Sequence, residues 1–340
     1  MNLNNIKRVA ITGAAGTIGS LIVHYFLNKT NAIICAIDNS EDGLFNLKEE
    51  IATIKNKGSR LRFILADIKD SDRIKRSLNG SQLLIHCAAY KHVELGEINP
   101  FDCFETNVTG TANIIKAALE NKISKILFTS SDKAINPTNV MGATKLIGER
   151  LIISSNNLIG SDDIKFSIVR FGNVLGSRGS VFPIFKKFFF EGKPYPITDE
   201  SMTRFFISPN EAVDLCIKAL QQMKGADIFL YPMRSASVLS LAKAISNKDS
   251  INYKKIGSKI GEKLYEELVT NQEINFCYQD KKLIKIIPNI NNISNLKIKN
   301  SLIKDSKLLK KINVNPNSND DLINWKELRK YLIKESLIND

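Results

Sequence analysis

The sequence has few cysteines and no long apolar run. Its five cysteines lie far apart and form no CxxC pair: Cys35, Cys87, Cys103, Cys216 and Cys277. Because disulfide frameworks and zinc sites need paired cysteines, this spacing predicts no disulfide and no metal site, and it favours a reducing compartment. No stretch reaches the roughly 20 apolar residues of a membrane-spanning helix. The polar start Met1–Lys7 is unlike a signal peptide, so we expect a cytoplasmic protein.

Acidic residues are scarcer than basic ones, with 35 Asp and Glu against 48 Lys and Arg, a net charge of +13. Such an excess suggests an acidic partner: nucleic acid, anionic lipid or a phosphorylated small molecule. About half of the excess lies in residues 281–340, which carry thirteen basic and six acidic side chains. No aromatic side chains that could stack on bases interleave with the lysines of residues 284–312. We interpret this charge as compositional bias and expect no nucleic-acid partner.

In the first half, short apolar runs alternate with longer helical patterns, which predicts parallel strands joined by helices. Strands are predicted at Arg8–Thr12, Ala32–Ile37, Leu61–Leu65, Leu83–Cys87, Lys125–Thr129 and Ile164–Arg170, and long helices at Pro100–Asn121 and Val140–Ser155. With right-handed crossovers this is an α/β fold, a Rossmann-type doubly wound parallel sheet. The pattern becomes irregular after Phe171. We therefore expect a dinucleotide-binding domain over residues 1–172 and a smaller mixed α/β substrate-binding region, interleaved with it, over residues 173–340.

The turn after the first predicted strand has the glycines of a phosphate-binding loop. Gly13, Gly16 and Gly19 permit a tight bend, close approach of the backbone to a pyrophosphate and close helix packing. Asp38 ends the second strand, where a carboxylate can bind both ribose hydroxyls of NAD and would repel the 2′-phosphate of NADP. The alternative is an ordinary glycine turn beside an unrelated surface aspartate.

The GxxGxxG spacing resembles that of the extended short-chain dehydrogenase/reductase superfamily. Three further segments match it: "LADIKD", "HCAA" and "TNVTGT". The resemblance implies a tightly bound NAD, with NADP as the alternative, that is regenerated in each turnover. The implied cofactor-binding residues are Gly13, Ala15, Gly16, Thr17, Ile18, Gly19, Asp38, Asp67, Ile68, Ala88, Ala89, Asn107 and Lys145.

The catalytic Tyr of the superfamily's YxxxK motif is replaced here by Met141, four residues before Lys145. Methionine cannot transfer protons, so another residue must perform the acid–base steps or the chemistry has been lost. Ser131, Asp132 and Lys133 follow the fifth strand, at the sheet edge where α/β enzymes bind ligands. An Asp can act as a general acid if its pKa is raised, and a Lys as a general base if burial or a nearby cation such as Lys145 lowers its pKa. The alternative is a helix cap or a solvated turn.

Longer segments resemble the UDP-N-acetylglucosamine 4,6-dehydratases of bacterial capsule and O-antigen synthesis, some of which also have Met for Tyr. The matching strings, in the family's order over about residues 8–270, are "AAYKHVELGEINPFDCFETNVTGTANI", "SSDKAINPTNVMGATKLIGER", "FGNVLGSRGSVFPIF", "PITDESMTRFFISPNEAVDL" and "GEKLYEEL". The resemblance implies oxidation at C4, removal of the C5 proton by Lys133, loss of the C6 hydroxyl with a proton from Asp132, and hydride return to C6. Ser131 would bind the C4 oxygen and Lys145 the nicotinamide ribose. The acceptor of the C4 hydroxyl proton stays open.

The same resemblance implies a set of substrate-binding residues: Lys91, Asn173, Ser180, Val181, Thr198, Arg204, Lys259 and Glu262. Arg204 is the best candidate for a diphosphate clamp, because a guanidinium binds phosphate oxygens with two donors. Lys259-Ile260 replaces the family's usual Arg-Pro. We therefore expect weaker diphosphate binding there, unless Arg178 or another residue compensates.

The stereochemical course and the reaction class leave alternatives. Members of the family protonate C5 from either face, and the segment "DNSEDGLFNL" resembles the retaining members, so we favour retention slightly over inversion. A UDP-sugar 4-epimerase and a non-catalytic NAD-binding protein are the competing functions. We expect UDP-N-acetylglucosamine as the partner and a homo-oligomer, either a dimer or a hexamer.

Overall fold

The predicted strands of the first half lie side by side in one sheet. The structure is a computed structural model that describes residues 3–52, 60–159, 163–288, 293–311 and 317–339. The strands are β1 (Arg8–Thr12), β2 (Ile33–Asp38), β3 (Leu61–Leu65), β4 (Leu83–His86), β5 (Lys125–Ser131) and β6 (Lys165–Phe171). They pair in parallel in the order β3-β2-β1-β4-β5-β6. The order reverses at β1, so the loops after β1 and β4 diverge and leave a crevice at the carboxyl ends of the strands.

Seven helices connect these strands within the described residues. They are α1 (Thr17–Lys29), α2 (Glu41–Ala52), α3 (Ser71–Ser77), α4 (Val93–Ile98), α5 (Pro100–Phe104), α6 (Gly110–Glu120) and α7 (Val140–Ser155). The single helix predicted over Pro100–Asn121 is instead α5 and α6 joined by a π-helical turn, Glu105–Thr109. In that turn the Asn107 side chain is buried and binds the backbone of Tyr90, a contact that a hydrophobic pattern does not encode.

The second half extends the same sheet and adds smaller layers. Its helices are α8 (Val181–Phe190), α9 (Pro209–Gln222), α10 (Val238–Ser246), α11 (Asn271–Ile274), α12 (Leu296–Leu308) and α13 (Trp325–Lys334). Its strands are β7 (Asn173–Val174), β8 (Tyr195–Ile197), β9 (Thr203–Ile207), β10 (Ile228–Leu230), β11 (Arg234–Ser237), β12 (Tyr253–Lys255), β13 (Cys277–Asp280), β14 (Leu283–Ile286) and β15 (Lys310–Lys311). β10 pairs in parallel with β6, and β14, β13 and β15 continue the sheet antiparallel. β11-β9-β7 and β12-β8 form two small sheets. The division at residue 172 stays a prediction.

The main sheet is buried on both faces. Successive residues of β1 belong to opposite cores, Ala10 to one and Val9 and Ile11 to the other, as the two-residue period of a strand requires. A third core, around Phe185 and Leu241, packs under the second half. Among the described residues no helix combines the length and the apolar character that crossing a bilayer requires. The firmly packed strands therefore fix the positions of the loops at their carboxyl ends.

Candidate active site

A cleft of about 1250 Å³ opens where the strand order reverses, at the carboxyl ends of the parallel strands. It brings together most of the residues singled out in the sequence: Gly13, Ala15, Gly16, Thr17, Ile18, Gly19, Asp38, Asp67, Ile68, Ala88, Ala89, Lys91, Ser131, Lys133, Met141, Lys145, Asn173, Ser180, Lys259 and Glu262. Five do not line it: Asn107, Asp132, Val181, Thr198 and Arg204.

The glycines of the first loop are required by close contacts. Gly13 has a φ of +66°, and a Cβ atom there would lie 2.6 Å from the backbone nitrogen of Ala88. A Cβ atom on Gly19 would lie 2.0 Å from the Gly13 carbonyl oxygen. No side chain caps the N-terminus of α1, where Gly16 is the N-cap residue. The first N–H groups of α1 thus remain available to an anion in the cleft, and the helix dipole favours negative charge there.

Two carboxylates end the neighbouring strands at one end of the cleft. Asp38 accepts hydrogen bonds from the backbone N–H groups of Ala15 (2.9 Å) and Ser40 (3.0 Å), which ties the end of β2 to the glycine loop. Asp67, after β3, accepts from the backbone N–H of Lys69 (2.8 Å). A ribose hydroxyl can donate to these oxygens, whereas a phosphate group would be repelled by both carboxylates.

The Asn107 side chain lies behind the residues that line the cleft. Its Oδ1 accepts from the Tyr90 N–H (2.7 Å), and its Nδ2 donates to the Tyr90 carbonyl (3.1 Å) and to Thr144 Oγ1 (3.0 Å). These bonds fix the loop after β4, which carries Ala88 and Ala89. Asn107 therefore supports the cofactor end of the cleft rather than lining it.

The Ser-Asp-Lys triplet forms a hydrogen-bonded cluster at the end of β5. Asp132 is completely buried, and its Oδ1 accepts from Ser131 Oγ (2.8 Å) and from Lys133 Nζ (3.1 Å). Its Oδ2 has no hydrogen-bond partner among the described residues. Ser131 and Lys133, which line the cleft, therefore stand between substrate and the Asp132 carboxylate.

Lys133 has more anionic partners than the sequence suggested. Besides Asp132, its Nζ lies 3.2 Å from Glu266 Oε1 and donates to Asn173 Oδ1 at 3.2 Å. Burial alone lowers the pKa of Lys133, but the Asp132 and Glu266 carboxylates together outweigh it, and the pKa is raised. The lowered pKa that a general-base lysine needs is therefore absent in the free protein, and Lys133 is an ammonium in this arrangement.

Lys145 lies one turn after Met141 on α7, and both side chains line the cleft. Its Nζ donates to the Thr129 carbonyl (3.1 Å) and sits 4.7 Å from the centre of the Phe128 ring. Burial lowers the pKa of Lys145 to about 8, and the nearby Cys87, Glu149 and Cys103 side chains oppose this shift only in part. Lys145 is thus a cation that can change charge near neutral pH.

Cationic and polar groups lie at the other end of the cleft. Lys91 Nζ donates to the Arg178 carbonyl, and burial and the charges of Arg178 and Lys133 lower the pKa of Lys91. Ser180 is the N-cap residue of α8, and its Oγ is buried without a hydrogen-bond partner in the described part of the chain. Lys259 pairs with Glu94 of α4 (2.6 Å) across exposed surface. An anionic ligand has several donors here, and Arg178 lies among them.

Three predicted substrate residues lie outside the lining of the cleft. The Arg204 guanidinium is buried and donates to the carbonyls of Thr203 (2.7 Å), Lys263 (2.9 Å) and Leu264 (3.3 Å). Because these carbonyls occupy its donors, Arg204 holds the 263–264 segment and does not reach the cleft as a diphosphate clamp. Thr198 Oγ1 donates to Met202 Sδ (3.5 Å), and Val181 is the first residue of α8.

The sequence interpretation missed Glu266 as a partner of Lys133. Glu266 lies within the quoted string "GEKLYEEL", from which only Glu262 was selected. No local spacing connects it with Lys133, because the contact depends on how the segment after β12 folds back over β5 and β9.

Comparisons with known proteins agree with this fold. Residues 9–288 match the family model described as polysaccharide biosynthesis protein. A Campylobacter jejuni protein named UDP-N-acetylglucosamine 4,6-dehydratase (inverting) is 37% identical over 289 residues, 84% of each chain. A Rickettsia rickettsii protein named UDP-glucose 4-epimerase is 35% identical over 275 residues, 79% of each chain. The X-ray structure of Pen from Bacillus thuringiensis is 35% identical, with a TM-score of 0.87 over 99% of this chain and 100% of that chain. The predicted Rossmann-type fold is confirmed, and the chain belongs to the polysaccharide biosynthesis protein family.

Proposed function

We propose that this protein is a nucleotide-sugar dehydratase that converts UDP-N-acetylglucosamine to a UDP-4-keto-6-deoxy-N-acetylhexosamine for surface-glycan synthesis. The observation that carries the proposal is the hydrogen-bonded cluster of Ser131, Asp132 and Lys133 at the wall of a dinucleotide cleft, beside a methionine that cannot transfer protons. A carboxyl group and an amine at one site can supply the acid and the base that loss of water requires. The name of the Campylobacter relative supports this reaction.

We propose NAD as the cofactor, held by the glycine loop, the uncapped N-terminus of α1 and the carboxylate of Asp38. When bound, NAD accepts a hydride from C4 of the sugar and returns it to C6. Asp38 and Asp67 disfavour a 2′-phosphate, which is why we prefer NAD to NADP. Lys145, whose pKa is lowered to about 8, lies where it can donate a hydrogen bond to the nicotinamide ribose.

We further propose that Ser131 replaces the missing tyrosine as the first proton acceptor. Its hydroxyl lines the cleft and already donates to Asp132 Oδ1 at 2.8 Å. A proton leaving O4 can pass to Ser131 while the Ser131 proton passes to Asp132. The proton held on Asp132 can return through the Ser131 hydroxyl to the C6 hydroxyl, which leaves as water. The proton released at O4 is thus balanced by the proton consumed at C6, so no external acid is needed.

For the stereochemical course we now propose inversion at C5. The Campylobacter relative, which aligns with 84% of both chains, is named as inverting. This replaces the slight preference for retention, which depended on one short segment after β2.

Incubation of the purified protein with UDP-N-acetylglucosamine in deuterated water tests the proposal by NMR. We expect a 4-keto-6-deoxy product that carries deuterium at C5, with couplings that report inversion. A 4-epimer without deuterium at C5 would instead identify an epimerase, the activity in the name of the Rickettsia relative. Unchanged substrate would refute both. Lys133→Ala removes the base and is expected to give no product.

We also propose a homo-oligomer in the cytoplasm. Apolar side chains are exposed together on α4, α5 and α7: Leu95, Ile98, Phe101, Phe104 and Ile147. A contiguous exposed apolar patch of this kind favours association, and five unpaired thiols agree with a reducing compartment. Phe101→Glu is expected to lower the sedimentation coefficient, whereas Phe190→Glu, at an exposed position at the end of α8, is the control.

A further inference from the structure

Glu266 is a buried carboxylate that touches the catalytic lysine but does not line the cleft. Its residue is 2% exposed. Its backbone N–H donates to Ser318 Oγ and its carbonyl accepts from the Ser318 N–H, both at 2.8 Å. The backbone is therefore fixed by a segment from the far end of the chain. Any effect of the Glu266 side chain on substrate must pass through another residue.

The two oxygens of the Glu266 carboxylate have unequal surroundings. Oε1 lies 3.2 Å from Lys133 Nζ and 3.9 Å from Arg204 Nε. Oε2 is buried and has no hydrogen-bond partner within the described residues. Leaving a buried carboxylate oxygen without a donor is unfavourable, so the arrangement is poor for stability alone. The residue is thus a candidate for a role in the reaction.

We propose that Glu266 is a positioning residue for Lys133: it holds the Lys133 ammonium at the cleft wall and takes up its proton when the amine must act as a base. The inference rests on the proposed dehydratase function. It addresses a gap in that mechanism, because an ammonium cannot remove the C5 proton. Glu266 Oε1, at 3.2 Å, is within proton-transfer reach of Lys133 Nζ.

The proton transfers balance over one turnover. At the start Asp132 and Glu266 are carboxylates and Lys133 is an ammonium. Oxidation at C4 sends the O4 proton through Ser131 to Asp132. Lys133 gives its proton to Glu266 and then removes the proton from C5. The Asp132 proton returns through Ser131 to the departing C6 hydroxyl, which leaves as water. C5 finally takes one proton from solvent and Glu266 releases one to solvent through Lys133, so the cluster returns to its starting state.

Four charged groups face Lys133 from different elements. Asp132 lies beside it after β5, and Glu266 belongs to the segment that covers it. Arg204 of β9 and Lys91 of the loop after β4 are the nearby cations, and both oppose the positive charge on Lys133. Once Asp132 has received the O4 proton, Glu266 is the remaining anion that stabilises the Lys133 ammonium and the remaining base that can accept its proton.

The test is the pH dependence of turnover in Glu266→Gln, with Glu267→Gln as the matched control. Glutamine keeps the shape of the side chain and can accept a hydrogen bond from Lys133, but it cannot take up a proton. We expect kcat to fall about a hundredfold at neutral pH and to recover as pH rises, since Lys133 must then lose its proton to solvent. Wild type is expected to be nearly flat over that range. Glu267 binds Asn136 and Lys263 instead, so its variant should match wild type.

A second readout needs no substrate. Lysine labelled with ¹³C at Cε, with the Lys133 signal assigned from a Lys133→Arg sample, reports the charge of Lys133 by NMR. We expect Lys133 to lose its charge at lower pH in Glu266→Gln than in wild type. The inference would be overturned if Lys133 lost its charge at the same pH in Glu266→Gln and in wild type. It would also be overturned if kcat of Glu266→Gln depended on pH in the same way as kcat of wild type. Failure of wild type to dehydrate UDP-N-acetylglucosamine would refute the proposed function instead, and the titration would still decide the role of Glu266.

Discussion

Removal of the Ser131 hydroxyl is the most direct test of the proposed proton route. Ser131 Oγ is the cleft-lining hydroxyl that donates to Asp132 Oδ1, at 2.8 Å. In Ser131→Ala the O4 proton loses its hydroxyl path to the buried Asp132 carboxylate. General acid–base groups contribute roughly 10²–10⁴-fold to rate, which is about 3–5 kcal/mol of activation free energy. We therefore expect kcat to fall at least about a hundredfold.

The effect should appear in the first chemical step. Single-turnover absorbance of the reduced nicotinamide follows C4 oxidation, and we expect it to slow as much as overall turnover does. Ser130→Ala is the matched control, because the Ser130 hydroxyl is buried on the same strand with no hydrogen-bond partner in the described residues. Ser131→Thr keeps the hydroxyl and should retain most activity. A Ser131→Ala rate within about threefold of Ser130→Ala would refute the relay.

Further changes test the charges around the site. Burial disfavours the charged form of Lys145 and lowers its pKa from 10.5 to about 8. Removing this buried charge in Lys145→Met should therefore raise the free energy of unfolding near neutral pH by about 1–3 kcal/mol. The same change should weaken NAD binding. Between pH 8 and pH 10.5 the unfolded chain holds a proton on Lys145 that the folded protein has lost. The free energy of unfolding of wild type, measured with urea, should therefore rise relative to that of the variant as pH rises through this range. Arg170→Met leaves the buried Glu149 without its partner and should lower the free energy of unfolding by about 3–5 kcal/mol. Lys218→Met breaks an exposed pair and should lower it by under about 1 kcal/mol. Lys259→Arg should lower the KM for the UDP-sugar several-fold, since a guanidinium offers two donors to the diphosphate.

The regular part of the fold was predictable because its signals are local. β1 and β3 have the predicted bounds, and α7 begins and ends at the predicted residues. The helix after Asn99 was predicted only in outline, because hydrophobic periodicity continues through the π-helical turn that places Asn107 against Tyr90. β13, β14 and β15 were missed altogether. β13 and β14 form a hairpin with each other, and β15 pairs antiparallel with β13 from about 30 residues away, in a Lys-rich region where composition obscures the pattern.

The candidate site was predictable where a motif lies on one loop. The glycine loop, Asp38, Ser131 and Lys133 all line the predicted cleft, with Asp132 buried behind them, because parallel strands bring their carboxyl ends to the same edge. Arg204 shows the limit of this reasoning. Its residue type suits a diphosphate, but neighbouring carbonyls from residues 203, 263 and 264 occupy its donors. Charge and residue type predict which chemistry is possible, whereas the tertiary contacts determine whether the group is available for it.

Replacement of tyrosine by Met141 is compatible with catalysis because the neighbouring cluster can rearrange its own protons. Asp132, Lys133, Glu266 and Arg204 carry two negative and two positive formal charges within one buried network. Burial of a network with no net charge costs far less than burial of an isolated ion, provided that its members remain paired. A proton that moves from Lys133 to Asp132 or Glu266 leaves the net charge of the network unchanged. The amine can therefore become a base without an additional charge being buried. In the proposed mechanism a phenol at position 141 is then dispensable, and Lys145, with its pKa near 8, is left to orient the cofactor.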